Sequence, residues 1–278
     1  MRLDEAAGSN ANTGQDNAFG GDVTKPFLTR NLRFYLTAPS SCPYLPGKRE
    51  RKVFTALDGL EAGALNDALT GAGFRRSQNI AYRPACDGCE ACISVRIIAD
   101  EFDFKKRWRR VLARNADLSR TLRPATATEE QFRLLRGYLN SRHARGGMSD
   151  MNFGDYAAMV EETSVRTHIV EYRHTSAAER GKLAAAALVD SLSDGLSLVY
   201  SFFDPRDTNR GLGVYTILDH VQQARAAGYS YVYLGYWIKG SAKMGYKSQF
   251  TPLEHLLGGS WVRAEDDDDA LGVGGDFI

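Results

Sequence analysis

Three cysteines within seven residues, Cys86-x2-Cys89-x2-Cys92, constrain this chain more than any other feature of its sequence. They put three thiols into one tight loop, a spacing suited to zinc or iron–sulfur coordination. The remaining cysteine, Cys42, lies 44 residues upstream in Ser-Ser-Cys-Pro-Tyr-Leu-Pro-Gly, a rigid turn able to present a thiolate. It would be brought in as the fourth ligand. The competing reading is reduced, unliganded cysteines with one or two of them buried. Spacing alone does not separate zinc from an iron–sulfur cluster.

A chain of 278 residues holds one large domain or two small ones. Its 43% apolar and 25% charged content is that of an ordinary globular protein. No apolar run reaches the length of a membrane span, so no membrane partner is expected. The segment 1–26 has no apolar core of a signal peptide and reads as a disordered leader. The expected compartment is the cytoplasm, where a disulfide framework is rare. The net charge of +1 conceals a strong asymmetry. From Lys105 to Arg123 eight basic residues stand against one acid, Asp117, whereas Glu265 to Asp269 are five consecutive acids. The basic run reads either as a solvated helix face or as a surface for polyanions. Trp108 within it could stack on a base or anchor a core.

Four blocks are expected: the leader 1–26, a cysteine-containing domain 27–117, a second domain 118–264 and an acidic tail 265–278. In the first domain, Ala62–Leu69 reads as a short helix, and Gln78–Tyr82 and Ser94–Ile98 as strands. Lys105–Asn115 reads as a basic helix leading out. In the second, Thr128 and Gln131 form a capping box for a helix bearing Phe132, Leu135, Tyr138 and Leu139, which Gly146–Gly147 end. Phe153–Glu162 is a shorter helix. Thr167–Tyr172, Leu183–Ser191 and Leu196–Phe203 read as strands. The loop Arg206–Gly213 then opens a helix with Val214, Ile217, Val221 and Ala224 on one face, stopped by Gly228. Tyr229–Tyr236 is the next strand. This order describes an α+β or α/β core with a central sheet.

The same order recurs in N-acyltransferase folds of the acetyltransferase type, where a Gly-x-Gly loop opens the helix after the central strand. Here the loop is Thr208-Asn209-Arg210-Gly211-Leu212-Gly213. Thr208 stands where such loops usually carry Gln or Arg. The loop points to acyl transfer and argues against a standard coenzyme A site, so no coenzyme A is expected.

Several segments together resemble the arginyl-tRNA–protein transferase family, in particular its bacterial branch, the aspartate/glutamate leucyltransferases. They are Cys42-Pro43-Tyr44-Leu45-Pro46-Gly47, Gly73-Phe74-Arg75-Arg76-Ser77, Tyr82-Arg83-Pro84 and the Cys86–Cys92 cluster. They continue with Arg142-His143, Gly146-Gly147-Met148, Val199-Tyr200-Ser201-Phe202-Phe203-Asp204-Pro205, Tyr233-Leu234-Gly235-Tyr236-Trp237-Ile238, Lys243-Met244 and Tyr246-Lys247. The resemblance implies a cysteine-bearing N-terminal module and an acetyltransferase-like (GNAT) C-terminal domain with a mixed central sheet. It implies transfer of leucine from charged tRNA to the N-terminus of proteins beginning with Asp or Glu, marking them for N-degron proteolysis. The eukaryotic arginyl branch spaces its cysteines differently, so its iron–sulfur chemistry carries over only loosely.

Such a reaction joins an activated ester to an α-amine of pKa about 7.7–8.0, so it needs neither a covalent intermediate nor ATP. No cofactor is required for the transfer step. Positioning and oxyanion stabilisation should supply most of the rate. The acceptor carboxylate calls for a planar cation, and Arg75, Arg76 and Arg83 are the candidates. Asp190, on an otherwise apolar strand, could orient the donor's ammonium group, take a proton, or simply end the strand. Lys243 and Lys247 could hold the tRNA's terminal phosphates or stabilise the oxyanion. Arg107, Arg109 and Arg110 are the candidates for tRNA phosphates. His143 could act as a base or as a helix C-cap. Three other functions compete: the same transfer from arginyl-tRNA, coenzyme A-dependent acetylation, and a non-catalytic N-degron reader or RNA-binding module.

Overall fold

The computed structural model describes residues 32–142, 148–238, 241 and 244–264. In chain order the N-terminal elements are β1 (Tyr35–Leu36), β2 (Ser40–Ser41), β3 (Arg49–Glu50), β4 (Lys52–Ala56), α1 (Ala62–Gly71), β5 (Arg75–Ser77), β6 (Ile80–Pro84), β7 (Cys92–Ile98) and α2 (Lys106–Arg114). They are followed by β8 (Leu118–Pro124), α3 (Glu129–Arg142), α4 (Phe153–Glu161), β9 (Thr167–His174), β10 (Leu183–Ser191) and β11 (Gly195–Phe203). The chain continues through α5 (Leu212–Ala226), β12 (Tyr231–Ile238), a 3-10 turn (Gly245–Gln249), β13 (Leu253–Leu257) and β14 (Ser260–Arg263). The leader 1–26, His143, Gly146–Gly147, Lys243 and the acidic tail lie outside the described residues.

The structure is α+β. Eight strands form one mixed sheet in the order β14-β13-β7-β12-β11-β10-β9-β8. Every pairing in it is antiparallel except β11 with β12, which are joined by the α5 crossover. Parallel neighbours need such a crossover, and the loop-and-helix segment after Phe203 supplies it. This is the mixed central sheet expected of an acetyltransferase-like domain. A smaller sheet, β1-β4-β6-β5, packs with α1 around Leu57, Ala62, Leu69, Phe74 and Ala81. The large sheet takes β7 from the segment that the sequence assigns to the cysteine module.

Strand β10 explains the layering. Its sequence Leu-Ala-Ala-Ala-Ala-Leu-Val-Asp is buried throughout, because helices cover both faces of the sheet. On one face Ala185, Ala187 and Val189 meet α5 through Leu218, Val221 and Ala224. On the other, Ala186 and Leu188 meet Phe132, Leu135 and Leu139 of α3 and Tyr156 of α4. The small alanine side chains let both helices approach closely. The capping box at α3 forms: Gln131 N donates to Thr128 Oγ1 at 3.2 Å and Thr128 N to Gln131 Oε1 at 3.0 Å. Such caps contribute on the order of 1 kcal/mol.

Two expectations change. Gln78, read as part of a strand, has φ 51 and sits in the turn between β5 and β6. The basic run does not form one helical face. Its first part is α2, whereas Arg120 and Arg123 lie on β8 beside Asp219 and Glu171. Trp108 takes the core reading: it is 2% exposed and stacks on Phe250 with centroids 4.9 Å apart. Among the described residues no helix is long and apolar enough to cross a membrane.

Candidate active site

The parallel pair β11–β12 does not stay together. Gly195, Leu196 and Ser197 face Tyr231, Val232 and Tyr233, and the pairing then ends although both strands continue. Beyond that point the two strands part and leave a wedge. This is why residues 197–201 are only half-buried in a strand at the middle of an eight-stranded sheet. A split strand pair leaves backbone carbonyls without their ladder partners, and buried carbonyls require replacements.

Two cations supply them. Arg75, on β5, donates from Nη2 to Val199 O of β11 at 2.9 Å. Its guanidinium lies so close to β12 that a Cβ at Gly235 would meet Arg75 Nε at 2.4 Å. Gly235 also has φ +73, so this position requires glycine twice over. Lys247, in the 3-10 turn, donates from Nζ to Leu234 O at 2.8 Å and to Tyr236 O at 2.6 Å of β12. It is 5% exposed. Burial, and then the charge of Arg75, push its ammonium well below the usual lysine range.

Aromatic residues wall the opening. Tyr138 of α3 packs edge-on against Phe203, the last residue of β11, with centroids 4.9 Å apart. Burial raises the Tyr138 phenol, while Arg142 opposes the rise. Tyr200 is raised by burial and by Tyr138. Tyr246, next to Lys247, keeps 42% of its surface exposed. Its enclosed hydroxyl end is nevertheless pushed up to about 12 by burial, with Tyr138 adding and Arg75 opposing. All three phenols are therefore neutral hydrogen-bonding groups at physiological pH.

The sequence candidates divide sharply here. Arg75 and Lys247 come together at the wedge. Arg76 and Asp190 come together elsewhere and with each other. Arg76 Nε and Nη2 meet Asp190 Oδ2 and Oδ1 at 2.6 and 2.8 Å, and Thr167 Oγ1 donates to Oδ1 at 2.7 Å. Both side chains are 1% exposed. Against the expected roles, Arg76 as an acceptor ligand and Asp190 as a donor ligand or proton acceptor, stands this buried bidentate pair, which stitches β5 to β10 while Arg76 Nη1 donates to Gln78 O at 2.8 Å. Arg83 is exposed, with its guanidinium 5.1 Å over the Phe74 ring. Tyr138, Tyr246, Gly235 and Arg142 were missed as site residues. Three of them stand in the segments that carry the family resemblance, but nothing in their spacing showed which faced an opening.

Helix α2 lies beside the wedge. Arg107 Nη2 donates to Gln249 O at 2.7 Å, two residues past Lys247, and Arg114 Nη1 donates to Asn209 O. Arg210 in turn grips Asp117 with both terminal nitrogens at 2.7 and 2.8 Å. The helix is therefore tied at one end to the 3-10 turn and at the other to the loop before α5. Arg107, Arg109 and Arg110 are all exposed.

Cys42, Cys86, Cys89 and Cys92 line one cavity, which Tyr82, Tyr236 and Ile238 also line. Tyr236 O is a partner of Lys247, so this cavity backs onto the wedge. Burial and then Cys42, Cys86 and Cys89 push the Cys92 thiol up to about 11. Backbone amides approach two of the sulfurs: Leu45 N donates to Cys42 Sγ at 3.4 Å and Arg51 N to Cys86 Sγ at 3.5 Å. The donor set is that of a thiolate metal site. Its arrangement is not: among the described residues no three His, Cys, Asp or Glu side chains are placed to hold one ion. No step of the chemistry below passes through a metal.

Comparison with known proteins gives this arrangement its family. Residues 40–110 match the family described as "Arginine-tRNA-protein transferase, N terminus", and residues 130–257 match "Arginine-tRNA-protein transferase, C terminus". The "Aspartate/glutamate leucyltransferase" of Nitrobacter winogradskyi is 59% identical over 239 residues, 84% of this chain and 93% of that protein. That of Phenylobacterium zucineum is 58% identical over 241 residues, 86% of this chain and 94% of that protein. Among solved structures, L-PGS from Bacillus licheniformis aligns with TM-score 0.41 at 12% identity, over 55% of this chain and 47% of that one. With both family halves matched in order, and with relatives this similar over almost their whole length, the chain belongs to the arginine-tRNA-protein transferase family.

Proposed function

We propose that this protein transfers leucine from leucyl-tRNA to the N-terminal amine of proteins that begin with Asp or Glu, in line with relatives that are named aspartate/glutamate leucyltransferases. The addition would mark the acceptor for N-degron proteolysis, and the supply of charged tRNA places the reaction in the cytoplasm. The observation that carries the leucine donor is the charge balance of the wedge. Its walls are aromatic and its buried charges are the cations Arg75 and Lys247. Two buried acids flank β11: Asp190, the register partner of Ser197, is paired with Arg76, and Asp204, directly after Phe203, is paired with Arg206. A leucine side chain fits such walls. An arginine side chain would enter a site that already holds the Arg75 guanidinium and, among the described residues, offers no unpaired carboxylate, and would lose hydration without compensation.

The chemistry follows from the same groups. The α-amine adds to the ester carbonyl, charge develops on the carbonyl oxygen, and the C–O bond to the terminal ribose breaks. Arg75 answers the developing oxyanion with N–H donors that Val199 O does not use. Lys247 sheds its proton more readily than an ordinary lysine. In its neutral form it takes the proton released by the attacking nitrogen and returns it to the ribose oxygen as that oxygen leaves. The exposed arginines of α2 track the tRNA backbone, and their ties to Gln249 and Asn209 bring the charged end to the wedge.

The test offers peptides beginning with Asp, Glu, Asn and Lys with separately charged leucyl- and arginyl-tRNA, and identifies products by mass. Leucine on the Asp and Glu peptides is expected. Arginine addition without leucine addition would defeat the donor reading, and equal reaction of all four peptides would defeat the acceptor reading.

A further inference from the structure

With Arg75 assigned to the oxyanion in the chemistry proposed above and Arg76 paired with Asp190, the group that grips the acceptor's carboxylate is still to be named. Among the described residues the half-buried arginines are Arg51, Arg75, Arg120, Arg142, Arg173 and Arg210. Arg120, Arg173 and Arg210 face carboxylates: Asp219, Glu130 with Glu171, and Asp117. Arg51 and Arg75 donate to the carbonyls of Thr37 and Val199. Arg142 has neither an acid nor a carbonyl among the described residues. Its guanidinium instead lies over the Phe203 ring, 5.8 Å from the centroid.

The position of Arg142 follows from helix geometry. It stands four residues after Tyr138, so both side chains project from one face of α3. That face meets the end of β11 at Phe203, where the wedge opens. A guanidinium 5.8 Å from a ring centroid is within cation–π range, and that contact takes up no N–H donor, so its N–H edge stays available. That edge is a planar fork matched to a carboxylate. Half-burial strengthens any pair formed there by excluding water, and the neutral Tyr138 beside it offers no competing charge. A carboxylate one side chain away from the reacting α-amine must bind near the reacting end, and this mouth is that place.

We infer that Arg142 is the acceptor-specificity residue: its guanidinium fork binds the side-chain carboxylate of the N-terminal Asp or Glu while the α-amine enters the wedge. This inference rests on the acceptor class proposed above. The other anion within reach is a terminal phosphate of the tRNA. The structure favours the carboxylate, because the exposed row on α2 already provides for phosphates and a half-buried fork on a ring suits one small planar anion.

The experiment compares the full chain with Arg142→Gln and Arg142→Lys. Binding of Asp-, Glu- and Asn-ended peptides is read by fluorescence anisotropy, and transfer is measured at saturating leucyl-tRNA. In Arg142→Gln, the KM and Kd for Asp and Glu peptides should rise about 30-fold, the scale of a lost charge-assisted contact, while kcat changes little. The preference for Asp over Asn should collapse. Arg142→Lys should restore part of it, since it returns the charge without the fork. An unchanged Asp-to-Asn ratio in Arg142→Gln would overturn the inference. So would a loss confined to leucyl-tRNA affinity, which would put a phosphate at Arg142. Because peptide binding is read separately, a wild-type protein that separates Asp from Asn peptides but moves no leucine would sink the donor reading and still test Arg142.

Discussion

Arg75 and Arg76 are neighbours on β5, yet they serve two regions that handle buried charge in opposite ways. At the seam with β10, Arg76 meets Asp190 through two hydrogen bonds, and Thr167 completes the carboxylate's partners. Both side chains are enclosed, each 1% exposed. At the wedge between β11 and β12, Arg75 and Lys247 are met by backbone carbonyls of strands that have parted, and among the described residues by no acid. Carbonyl dipoles hold a cation in place but do not cancel its charge. The wedge therefore keeps a net positive field within aromatic walls, which suits an oxyanion and a departing ribose oxygen. On the proposed chemistry, the cation matched by an acid serves the fold and the cations matched by carbonyls serve the reaction.

The comparison can be broken first at the seam, where the largest effect is expected. Arg76→Ala or Asp190→Ala leaves a buried charge alone and should cost about 3–5 kcal/mol of stability. The double replacement by apolar residues should recover much of that loss. Chemical denaturation checks the stability, and the transfer rate per folded molecule should change little. A stable Asp190→Ala protein with no transfer activity would return Asp190 to the chemistry and erase the distinction.

A smaller effect is expected on the surface beside the wedge. Replacing Arg107, Arg109 and Arg110 with Ala should weaken tRNA binding and flatten the dependence of log K on log salt by about two units. Peptide binding should be untouched. An unchanged salt slope would make α2 an ordinary solvated face. The smallest effect on transfer is expected at the thiol cavity, which backs onto the wedge through Tyr236. If a zinc ion or iron–sulfur cluster draws the four sulfurs together, Cys89→Ser should lower the metal content of anaerobically purified protein. Its transfer rate per folded molecule should stay near that of the parent. Metal-free wild-type protein with full stability would remove the metal altogether.

The sequence made the frame of this molecule legible, because the frame follows from periodicity. The apolar spacing of α3, the capping box at Thr128 and the strands before and after the Gly-x-Gly loop are local signals. The basic run was harder to read. The helix end at Asn115 was read from the sequence, but charge alone did not reveal that Arg120 and Arg123 continue on a strand. The site was legible only in part. Arg75 and Arg76 are adjacent and chemically alike, and only the third dimension gives one of them to Asp190. Asp190 stood out as an acid on an otherwise apolar strand, but a partner 114 residues away leaves no trace in spacing. The wedge was invisible for a similar reason. It arises where a parallel pairing stops after three residues, and no residue type announces that event.

The central claim is that chemistry occurs where β11 and β12 part, with Lys247 moving the proton. Its most direct test is the single-turnover rate of leucine transfer at saturating leucyl-tRNA and Asp peptide, measured against pH for wild type and Lys247→Met. Burial and Arg75 depress the Lys247 pKa, so its neutral, proton-accepting form gains as pH rises, and the wild-type rate should climb with pH until that form is complete. At pH 8 the variant should be about 100-fold slower, with tRNA affinity and folded content close to wild type. Its remaining rate should follow only the deprotonation of the acceptor amine. A folded Lys247→Met protein that transfers leucine at the wild-type rate, with the wild-type pH profile, would contradict the account.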